Sequence, residues 1–260
     1  MIQKNSKMVE KLRNDELVTC VKLNVANMVN AEIAAYAGFD CIWIDMEHVP
    51  ADYQEIMSTL LAAKARGAEC MVRVPRGCYS NMIRPLEMDA TAIMVPHCMS
   101  KKDAEEIAHY TKFQPIGRRP IDGGNGDGMY CLMGTEDYLK YSNEQKLTII
   151  QIEDYEAYDE LEEICAVPGI DMIFFGPADF AHSLGLAHDM GNVKVAEARK
   201  RVAEVARKHG KIAGTVGSTG NLKELYDMGY RFVNLGADVV ALGQYFTKIA
   251  KEAEEIKKTL

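Results

Sequence analysis

The sequence holds no C-x-x-C pair, no zinc-finger spacing, no nucleotide-binding glycine loop, no long apolar run and no excess of positive charge. Each absence closes a class. Seven cysteines stand at positions 20, 41, 70, 78, 98, 131 and 165, an odd number without a metal-finger pattern, and they read as reduced, buried thiols. No apolar stretch approaches the roughly 20 residues of a membrane span. Met1 to Asp15 is polar and mixed in charge, without the apolar segment of a secretory signal. Lys and Arg number 30 against 38 Asp and Glu, a net charge of −8. Cationic runs are short, as at Arg118-Arg119, which argues against a nucleic-acid partner, whose backbone demands basic patches. The expectation is a protein of a reducing aqueous compartment, most simply the cytoplasm, with neither membrane nor nucleic acid as partner.

What is present is an alternation. Of the 260 residues 48% are hydrophobic and 26% charged, enough for a substantial core. Apolar, β-branched-rich runs of strand length lie at Leu17 to Val25, Phe39 to Asp45, Glu69 to Val74, Thr91 to Pro96, Leu147 to Glu153, Asp171 to Gly176, Lys211 to Val216 and Arg231 to Leu235. Between them run amphipathic stretches such as Tyr53 to Arg66, Lys101 to Thr111, Tyr155 to Cys165, Val193 to Lys208 and Asn221 to Met228. Glycines 67, 210 and 229 stand where helices should stop. Eight βα units in this length predict an α/β fold, a single TIM (β/α)8 barrel over residues 1–260. Residues 1–15 read as a polar N-terminal extension and 241–260 as an extra C-terminal helix.

One connection is too long. From Pro96 to Leu147 the chain needs only one helix, which leaves residues 113–143 rich in Gly, Pro, Asp and Tyr. A loop of that size in a compact domain is usually functional or disordered. Its tract Gly123-Gly124-Asn125-Gly126-Asp127-Gly128 follows no strand and lacks P-loop or dinucleotide spacing. The preferred expectation is a mobile lid over the barrel mouth rather than a phosphate site.

In a TIM barrel the chemistry lies at the C-terminal strand ends. Glu153 and Asp179, one βα pitch apart, end neighbouring strands and face one mouth. Two hard oxygen ligands suit an octahedral divalent ion such as Mg²⁺ or Mn²⁺; the bland alternative is that each carboxylate caps a helix. His48 and Arg73 are separated by a similar pitch. Arg73 suits a carboxylate or a developing oxyanion, and His48 suits general acid or base work, unless it is merely hydrogen-bonded in its loop. His109, His182, His188 and His209 are weaker candidates, and His97 lines the pocket without an assigned role. No lysine falls at an expected strand end, although Lys22 lies inside the first strand, so a Schiff base has little support. No G-x-S-x-G elbow is present, and the 15 methionines read as core.

Taken together, Trp43-Ile44-Asp45-Met46-Glu47-His48, Val72-Arg73-Val74-Pro75, Gln151-Ile152-Glu153 and Gly176-Pro177-Ala178-Asp179 resemble the HpcH/HpaI aldolase family, in order and approximate spacing, from about Leu17 to Leu242. The resemblance implies a metal-dependent, class II pyruvate aldolase that cleaves a 4-hydroxy-2-oxo acid to pyruvate and an aldehyde. It implies that Glu153 and Asp179 hold the ion, Gln151 lines the pyruvate pocket, Arg73 stabilises the enolate oxygen and His48 is the base. Backbone groups at Gly176 and Ala178 receive the pyruvate carboxylate. It further implies a homo-oligomer, commonly a hexamer of dimers that swap the C-terminal helix.

Two departures stand out. Where the family has an aspartate that pairs with the histidine, followed by a Gly-Ala pair, this chain reads Leu86-Glu87-Met88-Asp89-Ala90, with Glu87 in the aligned place as a catalytic candidate. The family's Tyr-Pro-Pro-x-Gly-x-Arg-Gly segment appears as Phe113-Gln114-Pro115-Ile116-Gly117-Arg118-Arg119-Pro120. Two rivals remain at this point: oxaloacetate decarboxylation or a related lyase step on the same site, and a non-catalytic barrel that binds a 2-oxo acid.

Overall fold

The computed structural model describes residues 5–187 and 189–260. Eight strands, β1 (Val18–Leu23), β2 (Cys41–Asp45), β3 (Glu69–Arg73), β4 (Ala92–Val95), β5 (Leu147–Ile152), β6 (Met172–Phe175), β7 (Ile212–Val216) and β8 (Phe232–Ala237), close in sequence order into a barrel. Every neighbouring pair is parallel, including the closing pair of β1 with β8. The helices are α1 (Lys7–Arg13), α2 (Met28–Tyr36), α3 (Tyr53–Ala65), α4 (Tyr79–Glu87), α5 (Lys101–Thr111), α6 (Thr135–Gln145), α7 (Tyr155–Asp159), α8 (Leu161–Cys165), α9 (Pro177–Ser183), α10 (Val193–Lys208), α11 (Leu222–Asp227) and α12 (Asp238–Lys257). All eight expected runs are strands, and Gly67, Gly210 and Gly229 follow α3, α10 and α11 with positive φ. The expected helix from Tyr155 to Cys165 is two short ones that meet at Glu160.

Strand alternation sorts side chains into two cores. Ile42, Ile44, Cys70, Val72, Ile150, Ile173 and Phe175 point outward and pack beneath the helices. Cys41, Trp43, Met71, Met94, Ile149, Met172, Phe174 and Phe232 fill the interior, where Trp43 and Phe174 meet edge to face at 5.6 Å. The interior is a packed core with functional groups only at its rim.

Two expectations about the extremities need correction. The described part of the N-terminal extension is not merely polar: α1, capped by the Ser6 hydroxyl on the Val9 N–H, buries Met8, Val9 and Leu12 against the base of the interior core. The C-terminal helix begins at Asp238, whose carboxylate accepts from the Asn24 and Val25 N–H groups at 2.8 and 3.0 Å. Beyond that tie no residue of α12 is buried, and Val240, Leu242, Tyr245 and Phe246 are exposed.

The long connection is not a lid over the mouth. Helix α5 runs antiparallel to the strands and returns the chain to the barrel base, so residues 113–143 lie at the end away from the C-terminal strand ends. There Lys112 Nζ donates to the Lys146 carbonyl at 2.7 Å, just before β5, and Asn143 pairs with the backbone of Phe113. Arg119 and Asp127 form a fully buried ion pair at 2.7 Å, joined by the Tyr138 hydroxyl at 2.9 Å. The segment is therefore a folded unit that contains α6 and packs against the end of α4.

Candidate active site

The rim side chains arrive from four strands and the helix that follows a fifth. From β2 come Asp45 and Glu47, from β3 Arg73, from the end of β4 His97, from β5 Gln151 and Glu153, and from the start of α9 Asp179. Asp45 is fully buried between two cations. Arg73 Nε and Nη2 donate to its two oxygens at 2.9 and 2.7 Å, and Lys22 Nζ lies 2.7 Å from Oδ2. Burial alone would raise this carboxyl, but Arg73 and Lys22 outweigh it and hold the group at about 2. The Arg73 guanidinium and the Lys22 ammonium also lie over the Trp43 ring, 4.9 and 5.3 Å from its centroid.

The third Arg73 nitrogen, Nη1, is 2.9 Å from Glu47 Oε2, so the planar fork is gripped from two sides. His48 Nε2 approaches the same Glu47 oxygen at 3.5 Å, and its ring is 60% exposed at the edge of the mouth. His48 and Arg73 are thus brought to one carboxylate, in keeping with the strand spacing.

Glu153 is 1% exposed. It accepts from the His97 N–H at 2.9 Å and from the Gln151 side-chain amide. Burial, with further contributions from the Asp179 and Glu47 charges, raises its carboxyl to about 7 against the opposing pull of His97. Asp179 opens α9 just past β6, the strand paired with β5, on whose end Glu153 stands. Gln151 keeps a buried carbonyl oxygen with no hydrogen-bond partner. Gly176 closes the gap between the strands: a Cβ there would come within 2.7 Å of Glu153 Oε2 and 2.9 Å of Gln151 Nε2. Any larger residue would collide with the pocket wall. Ala178 follows on α9, half-buried beside Asp179.

A buried carboxylate with its proton held near neutrality, beside a second carboxylate and an orphaned carbonyl oxygen, is a donor set of hard oxygens that suits a divalent cation. Among the described residues no cluster of three or more His, Cys, Asp and Glu side chains is arranged as a metal cage. Two protein ligands with the remaining positions left to water or substrate oxygens is the pattern that Mg²⁺ prefers.

Glu87 is not part of this constellation. It is the last residue of α4, which starts after β3 at the mouth and descends, so Glu87 ends at the base. It faces Arg119, Asp127 and Asp122 of the long connection, and burial raises its carboxyl. In this chain it is separated from His48 by the length of the barrel. Asp89, which stands in the same departure at the place of the family's glycine, has φ +72, a conformation where glycine is at ease, and Lys64 and Lys146 pair with its carboxylate.

Three participants escape a reading of the sequence alone. Lys22 falls inside an expected strand that reaches Val25, yet β1 ends at Leu23, so Lys22 stands at the rim. A lone lysine in an apolar strand is the available signal. His97 sits at the centre of the acidic cluster, with Nδ1 2.8 Å from Asp154 and Nε2 3.6 Å from Glu47. Burial would lower it, but Asp154, Glu153 and Glu47 raise it above the ordinary imidazole range. Asp45 stands in its motif with no expected task of its own. Among the remaining histidines, His109 meets Tyr110 edge to face, His182 lies in α9 and His209 pairs with Glu162 at 2.6 Å. His188 lies outside the described residues.

Comparison with known proteins agrees with this geometry. The HpcH/HpaI aldolase/citrate lyase family matches residues 20–243. A hydroxypyruvate/pyruvate aldolase of Paraburkholderia phytofirmans is 36% identical over 225 residues, which cover 84% of this chain and 86% of the relative. A 5-keto-4-deoxy-D-glucarate aldolase of Klebsiella pneumoniae is 30% identical over 235 residues, 90% of each chain. A solved HpcH/HpaI aldolase/citrate lyase family protein of Burkholderia cenocepacia superposes with a TM-score of 0.87 at 31% identity, covering 96% of this chain and 99% of the other. With the barrel, the acidic rim and the matched span in agreement, the chain belongs to the HpcH/HpaI aldolase/citrate lyase family, a family of aldolase and lyase enzymes.

Proposed function

We propose that this enzyme is a metal-dependent aldolase that cleaves a 4-hydroxy-2-oxo acid to pyruvate and an aldehyde. The observation that carries the reading is Glu153, 1% exposed just past β5, with Asp179 in the first turn of α9 just past the neighbouring strand β6. These two would hold a divalent ion, Mg²⁺ or Mn²⁺, which when bound supplies Lewis-acid polarisation of the keto group, an effect worth several kcal/mol.

The chain's own residues supply the rest. Gln151 lines the 2-oxo acid pocket, and the backbone at Gly176 and Ala178 receives the carboxylate. Arg73, fixed by Asp45 and Glu47, offers its guanidinium to the C2 oxygen as negative charge develops there. Its orientation is settled before substrate arrives, so little reorganisation is needed during the reaction. His48, at the open edge, takes the proton from the C4 hydroxyl, and the C3–C4 bond then opens. The electron pair moves to the pyruvate fragment, which is protonated at C3 after the aldehyde leaves.

The aldolase names of the two relatives support this reaction class. The exposed apolar face of α12, with no residue buried on its own barrel, supports a homo-oligomer in which the helix is buried by a second copy; the hexamer remains part of this proposal. Among the described residues no helix is long and apolar enough to cross a membrane. All seven cysteines are free thiols, Cys78 and Cys131 exposed and not buried as expected, and the absence of a disulfide among them supports a cytoplasmic setting.

The test is pyruvate release from a panel of 4-hydroxy-2-oxo acids before and after EDTA, with Mg²⁺ or Mn²⁺ added back. Loss with EDTA and recovery with the ion are expected. Release that survives EDTA yet is blocked by borohydride would transfer the chemistry to a lysine, with Lys22 the first to test.

A further inference from the structure

At the base of the barrel, away from the mouth, a cavity of ≈ 560 Å³ opens between α1, the α5–β5 connection, the end of α10 and the starts of β7 and β8. Its wall carries five cations, Arg13, Lys112, Arg207, Lys211 and Arg231, and only two carboxylates. In a chain of net charge −8 that local surplus of three positive charges needs a reason.

The two acids are already shared. Asp15 accepts from Arg207 at 2.8 Å through one oxygen and from Arg231 at 2.9 Å through the other. Asp171 Oδ2 lies 2.7 Å from Lys112 Nζ and also accepts from the Thr148 N–H at 2.7 Å. Among the described residues Lys211 donates to the carbonyls of Val167 and Ile170, at 2.9 and 2.8 Å, and Arg13 to the carbonyl of Glu144. Carbonyl partners satisfy hydrogen bonds without cancelling charge. Lys112 is moreover 2% exposed, so water screens its charge poorly. Burial and the nearby Lys112 both hold Lys211 below the ordinary lysine range, against the pull of Asp171.

We propose that this basal cavity binds a small polyanion, a phosphate-bearing or polycarboxylate metabolite, at a site separate from the catalytic mouth. Guanidinium groups match phosphate and carboxylate oxygens through paired hydrogen bonds. Three uncompensated charges favour a multivalent anion over a simple monocarboxylate, and the volume falls within the range of about 300–1,000 Å³ found for small-molecule sites. A ligand there would add a polar tie between α1 and the starts of β7 and β8, beside the apolar packing of Val9 and Leu12 and the Asp15 bridge to Arg207 and Arg231.

The experiment uses metal-free, EDTA-treated protein so that the mouth cannot chelate the probe. Pyrophosphate and tricarballylate are titrated by calorimetry, with acetate at matched ionic strength as control. Saturable binding of pyrophosphate, tricarballylate or both is expected, with a rise in Tm of a few degrees; the stronger of the two identifies the headgroup. The variant R13Q/R207Q alters two exposed residues and should weaken binding at least 10-fold, K211Q should weaken it as well, and E153Q should leave it unchanged. Binding no stronger than acetate overturns the proposal. So does binding that survives R13Q/R207Q in a variant of normal Tm, or binding that E153Q abolishes.

Discussion

Arg73 and Asp45 are joined by two parallel hydrogen bonds, Nε to Oδ1 at 2.9 Å and Nη2 to Oδ2 at 2.7 Å, from neighbouring strands in the buried floor of the mouth. Asp45→Asn removes the charge that balances Arg73 and Lys22. Breaking a buried pair in this way costs about 3–5 kcal/mol, and a fall in Tm of about 10 °C is expected by calorimetry. Unchanged Tm and turnover together would show that the pair neither supports the barrel nor orients the arginine.

Acid stability should carry the signature of the same carboxylate. The Asp45 pKa falls from the usual 3.8 to about 2 on folding. The proton is therefore bound more tightly by the unfolded chain, and the contribution, about 2 kcal/mol, is complete above the unfolded value. It is lost as pH falls from about 4 to about 2. Denaturant midpoints measured across that window should fall for wild type more steeply than for Asp45→Asn, and parallel curves would rule out the linkage.

Replacing Arg73 by Lys keeps the charge but loses the fork held by Asp45 and Glu47. A loss of kcat/KM of roughly 10²–10³ is expected, the scale of a removed oxyanion donor, with most of it in kcat. A variant that changed KM alone would place Arg73 in substrate binding and not in transition-state stabilisation.

Glu153→Gln and Asp179→Asn should each abolish tight Mg²⁺ or Mn²⁺ binding, measured by calorimetry, while circular dichroism stays that of the barrel. Retained ion affinity in either variant would remove that carboxylate from the proposed ligand set.

The exposed face of α12 offers a test of assembly. Leu242→Glu with Phe246→Glu places two charges on a surface that its own barrel does not cover, and light scattering should report a smaller particle than wild type. An unaltered mass would show that α12 is not the contact.

Much of the barrel and its rim is legible from residue order. The eight strands announce themselves because each is a short apolar run, and most are buried on both faces, a pattern that parallel sheets enforce. The pitch of one βα unit then places Glu153 near Asp179 and His48 near Arg73, since consecutive strands are neighbours. Glu87 is misplaced by residue order because alignment position carries no information on which end of a helix a residue occupies. The same blindness turns residues 113–143 into a lid: composition marks an irregular segment, whereas the direction of α5 decides which end of the barrel receives it. His97 draws little notice because an imidazole after a strand is ambiguous until Asp154, Glu153 and Glu47 are seen around it.

By itself, then, the order of residues determined the barrel and which polar residues stand at its rim, because strand periodicity and strand adjacency are local rules repeated eight times. Only the tertiary structure decided that Asp45 is gripped by Arg73 and Lys22, that Glu87 stays at the base, and that five cations from five separate segments share one cavity. Those relationships join residues far apart in the chain, and their energies depend on distance and burial, which no local pattern encodes.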